Sequence, residues 1–160
     1  MSSELTTCNF DAGKLILKLR VSLAADKNAI DPVVRGVMDL VKQNHCATGK
    51  EDAIEVALTE DLANAVVHGA QADATKIVEC DVACDDKQQI LIVVRDPGKG
   101  FDPGTIPSPV QGQNIYSDHG RGIYLINQLM DEVSFERNGA EIRMRKAAAP
   151  SPAPRVPEVA

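Results

Sequence analysis

A chain of 160 residues, 44% hydrophobic and 25% charged, has the size and balance of one globular domain that needs neither disulfides nor a structural metal to be stable. With 17 basic against 23 acidic side chains, a net charge of −6, three Phe, two Tyr and no Trp, it lacks both the field that attracts a phosphate backbone and the rings that stack on bases, so nucleic acid is not an expected partner. No apolar run approaches the roughly 20 residues that span a bilayer, and the first residues lack a basic start and apolar stretch, so a cytoplasmic protein without membrane contact is expected.

The segment 14–23 (KLILKLRVSL) places Leu15, Leu17, Leu19 and Val21 on one face and predicts an amphipathic first strand. After Asp26, a plausible cap, the spacing of Ile30, Val33, Val34, Val37, Met38, Leu40 and Val41 predicts a helix ending near His45, with Pro32 in its first turn. A second helix is predicted from about Glu51 to Ala70, because Ile54, Ala57, Leu58, Leu62, Ala65 and Val66 recur at intervals of three and four. Strands follow at 75–84 and 89–95, joined by a polar turn. A glycine- and proline-rich loop covers 96–119, of a length usually functional or disordered. A third helix is expected at about 121–131, then a hairpin of strands 133–137 and 141–145 turning at Asn138-Gly139. From Ala147 the chain carries four of its nine prolines and reads as an extended, unpacked tail.

This order predicts an α+β fold, a two-layer sandwich in which a mixed, mostly antiparallel sheet is covered by helices on one face and open on the other. The four cysteines, Cys8, Cys46, Cys80 and Cys84, form no CxxC pair. Cys80 and Cys84 lie on one predicted strand, where four residues set them about 13 Å apart, too far to chelate one ion. All four read as ordinary reduced thiols.

Three features carry chemistry. Glu60, Asn64 and His68 stand at i, i+4 and i+8 along the second helix, opposite its apolar side. Taken alone, such a stripe is also what a solvated helix face looks like. In VVRDPGKGFDP an apolar strand ends in Asp96 and turns through Gly98 and Gly100; a carboxylate there accepts from an exocyclic amine, and the glycines let backbone approach a ring or a phosphate. In HGRGIYLI, Gly120, Arg121 and Gly122 open the third helix, where free N–H groups and the positive dipole end suit an anion.

The order and spacing of the three resemble the N, G1 and G2 boxes of the GHKL ATPase/kinase superfamily, the Bergerat fold. Within it, EVALTEDLANAVVHGA, VRDPGKGFDP and HGRGIYLINQLMDEVSFERNGAEIRMRK are similar to the anti-sigma-factor serine/threonine kinases, the RsbW-like branch. The resemblance implies an ATP-binding kinase domain over 1–147 followed by a Pro/Ala-rich flexible tail over 148–160. It implies ATP and Mg²⁺ as cofactors, Glu60 as the general base toward a serine hydroxyl, and Asn64 as the Mg²⁺ ligand. Asp96 would read the adenine amine, Gly98 and Gly100 would make room for the ring, and Gly120, Arg121 and Gly122 would hold phosphates. His68 matches a position often His in the family; a packing or helix-ending role with Gly69 is equally open.

The partners implied are a sigma factor and a STAS-domain antagonist, and the implied assembly is a homodimer. The expected lid is short, and at this length a sensor histidine kinase or a topoisomerase or mismatch-repair ATPase is not the expected branch. One departure is Ala140 after Gly139, where many superfamily members carry a Thr that supports adenine recognition. The alternative function is a non-catalytic, nucleotide-dependent regulatory binding module.

Overall fold

Alternation in β1 (Leu15–Ala24) turns Leu17, Leu19, Val21 and Leu23 toward the core and leaves Ile16, Lys18, Arg20 and Ser22 exposed. The computed structural model describes residues 10–99 and 118–150. Asp26 caps not the first α-helix but a 3₁₀ turn ahead of it, Lys27–Ala29, its carboxylate accepting the Asn28 N–H at 2.9 Å. Then α1 (Ile30–Gln43) buries Val34, Val37, Met38 and Val41, one apolar stripe at helical spacing.

The second helix, expected to run unbroken to Ala70, is α-helical only over α2 (Glu51–Asn64) and continues as a wider π turn, Ala65–Gly69. There the Ala70 N–H donates to the Ala65 carbonyl at 2.8 Å, five residues back. The turn is closed by Gln71 and Ala72, both with φ of 55°, rather than by a left-handed Gly69. The π turn carries Gly69 against the end of the sheet.

The sheet contains β1, β2 (Ile77–Asp85), β3 (Ile90–Arg95), β4 (Glu132–Glu136) and β5 (Glu141–Lys146) in the order β1-β2-β3-β5-β4. The expected α+β sandwich with a mostly antiparallel sheet is found, and all four pairings are antiparallel. The chain leaves β3 through α3 (Asp118–Leu129) and returns as β4, but β5 inserts between β3 and β4 and so opposes both. Val78, Cys80 and Val82 of β2, Ile90, Ile92 and Val94 of β3, and Ile142 and Met144 of β5 meet the helices in the main core. Burial there is the dominant stabilising term.

The reverse face, expected to lie open, is partly closed. β3 is apolar on both faces, the pattern of a central strand, so Leu91 and Val93 need cover; Phe10 packs on them together with Ala83. Beside this patch, ion pairs cross the sheet from Arg20 to Asp81 (2.7 Å), Asp81 to Arg95 (2.7 Å), Arg95 to Glu141, and Glu141 to Arg143 (3.0 Å). The tail also stays attached longer than expected. The Ala147 N–H donates to Asp131 at 2.8 Å and the Ala149 N–H to the Thr48 carbonyl at 2.9 Å. Among the described residues no helix is long and apolar enough to cross a membrane.

Candidate functional site

The polar stripe of α2 and the π turn lines a cleft rather than an open helix face. Glu60, Asn64 and His68 line one cleft of about 500 Å³ with Lys27, Ala63, Val67 and Leu125, a size suited to a small-molecule ligand. α3 packs over the stripe, which leaves Asn64 only 7% exposed while His68 sits exposed at the rim. Contact is close at Gly122: a Cβ there would lie 3.2 Å from Glu60 Oε2, 3.2 Å from Asn64 Nδ2 and 3.3 Å from Asn64 Oδ1. The ends of Glu60 and Asn64 therefore adjoin beneath the first half of α3. Asn64 Nδ2 is buried without a hydrogen-bond partner, and half a turn of the amide would present its oxygen instead.

The second part of the site lies where β3 ends. The Asp96 N–H donates to the Ala140 carbonyl at 2.9 Å, and Asp96 Oδ1 accepts the Gly98 N–H at 2.8 Å. Because the Ala140 role is a backbone one, the departure from Gly-Thr leaves this anchor intact. A Cβ on Gly69 would fall 2.2 Å from Asp96 Cγ, and one on Gly98 would fall 2.2 Å from the Gly69 carbonyl oxygen. Two glycines thus let the end of α2 and the turn after β3 close around one carboxyl. Burial raises the Asp96 carboxyl above the usual range, against the Gly98 N–H and the charge of Arg137, which favour its ionised form. Arg137 itself opens the β4–β5 turn, in which Arg137, Asn138 and Gly139 all have left-handed φ.

Of the residues singled out in the sequence, Glu60, Asn64 and His68 share one cleft, and Asp96 and Gly98 meet at the far end of the same helix. Gly120 and Arg121 fall in the first turn of α3, which starts at Asp118, three residues earlier than expected; their side-chain surroundings lie outside the described residues. Gly100 also lies outside them. Four contributors were missed. Lys27 enters the cleft from the 3₁₀ turn, Gly69 and Ala140 hold Asp96, and Asp61 is a fully buried carboxyl whose Oδ2 has no partner. Burial, and secondly the charge of Asp96, push the Asp61 carboxyl well up.

This donor set fits an adenine nucleotide held with a divalent cation: orphaned polar atoms at Asn64 and Asp61, a carboxyl framed by side-chain-free backbone, and an amide oxygen suited to a hard ion. The fold around it is an α+β sandwich, a five-stranded antiparallel sheet with helices on one face. The histidine kinase-like ATPase domain matches residues 23–146, and the chain belongs to that family. The serine-protein kinase RsbW of Bacillus licheniformis is 33% identical over 100 residues, which cover 58% of this chain and 62% of that relative.

Proposed function

We propose that the protein is an ATP- and Mg²⁺-dependent serine/threonine protein kinase of the anti-sigma-factor type, which phosphorylates a STAS-domain antagonist and sequesters a sigma factor, acting as a cytoplasmic homodimer. The observation that carries this reading is the double exposure of Glu60. It lines the cleft it shares with Asn64 and also a second cleft of about 370 Å³ between α1 and α2, walled by Asp31, Val34, Arg35, Glu55, Val56 and Thr59. A carboxylate common to two adjoining clefts can take a proton from a hydroxyl delivered through one toward a phosphate held in the other.

Bound ATP with Mg²⁺ supplies the transferable γ-phosphoryl and the charge that neutralises it. Asn64 would hold the cation through its amide oxygen, and Asp96, framed by Gly69 and Gly98, would accept from the adenine amine, with Gly98 and Gly100 making room for the ring. Gly120, Arg121 and Gly122 would hold the phosphates, with Lys27 and His68 at the cleft edge. Glu60 accepts the serine proton.

The test is transfer from labelled ATP to STAS-domain proteins in Mg²⁺, alongside nucleotide binding. Glu60→Gln should abolish transfer and keep binding, whereas Asn64→Ala should lose the Mg²⁺-dependent part of binding as well. Transfer that survives both substitutions sinks the assignment. Binding without transfer to any partner leaves the regulatory binding module in its place.

A further inference from the structure

Asp61 stands directly after Glu60 on α2, but on the side that faces the sheet. It is 1% exposed, and its Oδ2 has no hydrogen-bond partner. A buried carboxyl in that condition costs stability and calls for an explanation outside the fold itself. Ala65 stands one turn further along the helix and Gly69 another turn beyond, so a strip of small residues leads from Asp61 to the point where Gly69 meets Asp96. Asp61 lies near enough to Asp96 to feel its charge, and near enough to Cys80 on β2 to influence that thiol in turn. Asp61 and Asp96 are thus neighbouring carboxyls on the sheet side of α2, with the Asp61 carboxyl buried behind the Gly69–Asp96 contact.

The two carboxyls are provided for differently. Asp96 has the Gly98 N–H and the nearby Arg137 charge to support its ionised form. Asp61 has no described hydrogen-bond donor or cation, and an unpaired buried charge is far more costly than a neutral acid. A neutral carboxyl carries both an O–H donor and a carbonyl acceptor. The two neighbouring carboxyls thus offer one acceptor-only group and one group able to donate, which matches a ring edge with an amine beside a bare ring nitrogen.

We propose that Asp61 is a second base-reading residue, whose carboxyl donates to adenine ring nitrogen N1 while Asp96 accepts from the exocyclic amine. The inference rests on the reading of the cleft as an adenine-nucleotide site. It replaces no role given to Asp96; it assigns to this chain a discrimination at N1 that Asp96, an acceptor, cannot make.

The test is calorimetric titration of the full chain with ADP and with 1-deaza-ADP, in which N1 is replaced by C–H, for the wild type, Asp61→Ala and Asp61→Asn. The wild type should bind ADP about tenfold more tightly than the deaza analogue, the worth of one hydrogen bond that otherwise leaves a buried group unpaired. Asp61→Ala should lose about tenfold toward ADP and little toward the analogue. Asp61→Asn, which keeps a donor and an acceptor, should stay within about threefold of the wild type. Without nucleotide, Asp61→Ala should unfold a few degrees higher, because an orphaned group has been removed. Equal affinity of the wild type for the two ligands overturns the inference, as does undiminished ADP binding by Asp61→Ala or a lowered unfolding midpoint. A wild type that binds neither ligand brings down the nucleotide reading itself, a separate and recognisable result.

Discussion

Gly69 and Asp96 fit together only because Gly69 has no side chain: a β-carbon there would stand 2.2 Å from Asp96 Cγ and 2.4 Å from Oδ2. Asp96 has little room to retreat, since its N–H is tied to Ala140 and its carboxylate to Gly98. Gly69→Ala should therefore cost about 2–3 kcal/mol through overpacking and weaken ADP binding at least about tenfold. Gly36 is the matched control, exposed on α1 with nothing within 4 Å of its would-be Cβ. Gly36→Ala should stabilise by about 0.5–1 kcal/mol and leave binding alone. Thermal unfolding with and without ADP reads both; a Gly69→Ala protein that keeps the full ADP-induced shift would refute the packing argument.

Gly122 presses on the other half of the site, but its neighbours are side-chain ends that can yield. A methyl there meets Glu60 Oε2 and Asn64 Nδ2 at 3.2 Å, so both must move by a few tenths of an ångström. Ala also favours the helix over Gly by about 1 kcal/mol. Gly122→Ala should then leave stability unchanged or slightly raised while lowering kcat for phosphoryl transfer about tenfold, because catalysis is sensitive to displacements of that size. Steady-state kinetics beside a melting curve separates the effects, and a drop in stability with kcat intact would contradict the proposed placement.

These contacts also mark what could be read without coordinates. The strands and α1 were legible from period, and Glu60, Asn64 and Asp96 from i, i+4 spacing and a strand end. The change to π geometry at Ala65 was not, because Gly69 signals a helix end but nothing in Ala65–His68 signals the wider turn that brings Gly69 against Asp96. Asp61 was overlooked because helix carboxylates are ordinarily solvated. Its signal was present nonetheless: it falls four residues after Ala57 and four before Ala65, in a buried row. Lys27 had no such signal, as its place in the cleft depends on how the turn before α1 folds back. The cover over Leu91 and Val93 could have been anticipated from the unbroken apolar run of β3.

Acid and neutral pH should act on two carboxyls in opposite senses. Burial opposes ionisation of Asp81, but hydrogen bonds from Arg20 and Arg95 outweigh it, so its carboxyl lies below the usual range. A depressed folded value contributes stability above the unfolded value of about 4, lost as pH falls through the folded one. Asp61 is raised by burial and then by Asp96, so the native state holds its proton more tightly. Its contribution is present below about pH 4 and is lost as pH rises toward the folded value. Asp81→Asn should therefore flatten the acid limb of a stability profile, and Asp61→Asn should flatten the decline on its neutral side. Urea midpoints measured from about pH 3 to 8 check both signs; profiles parallel to the wild type would show that neither carboxyl is perturbed by folding.

The β2–β3 turn depends on a single buried side chain. Asp85 is 0% exposed; its Oδ1 accepts the N–H groups of Lys87 (3.0 Å) and Gln89 (2.8 Å), and its Oδ2 accepts Gln89 Nε2 (3.2 Å) and the Asp11 N–H (3.2 Å). The same carboxylate thus closes the hairpin and fastens the segment that brings Phe10 over Leu91 and Val93. Asp85→Asn keeps the shape but turns an NH₂ group toward N–H donors, leaving buried groups unpaired, so it should cost about 2–4 kcal/mol. The neighbouring exposed Asp86 has no comparable role in the turn, and Asp86→Asn should change stability by no more than about 0.5 kcal/mol. Hydrogen exchange gives the spatial check: loss of protection should concentrate in β2, β3 and residues 10–12, well away from the Asn64 cleft. An Asp85→Asn protein as stable as Asp86→Asn would mean that the turn is held by its backbone bonds alone, from Asp85 to Gln89 (3.0 Å) and from Gln88 to Asp85 (3.0 Å).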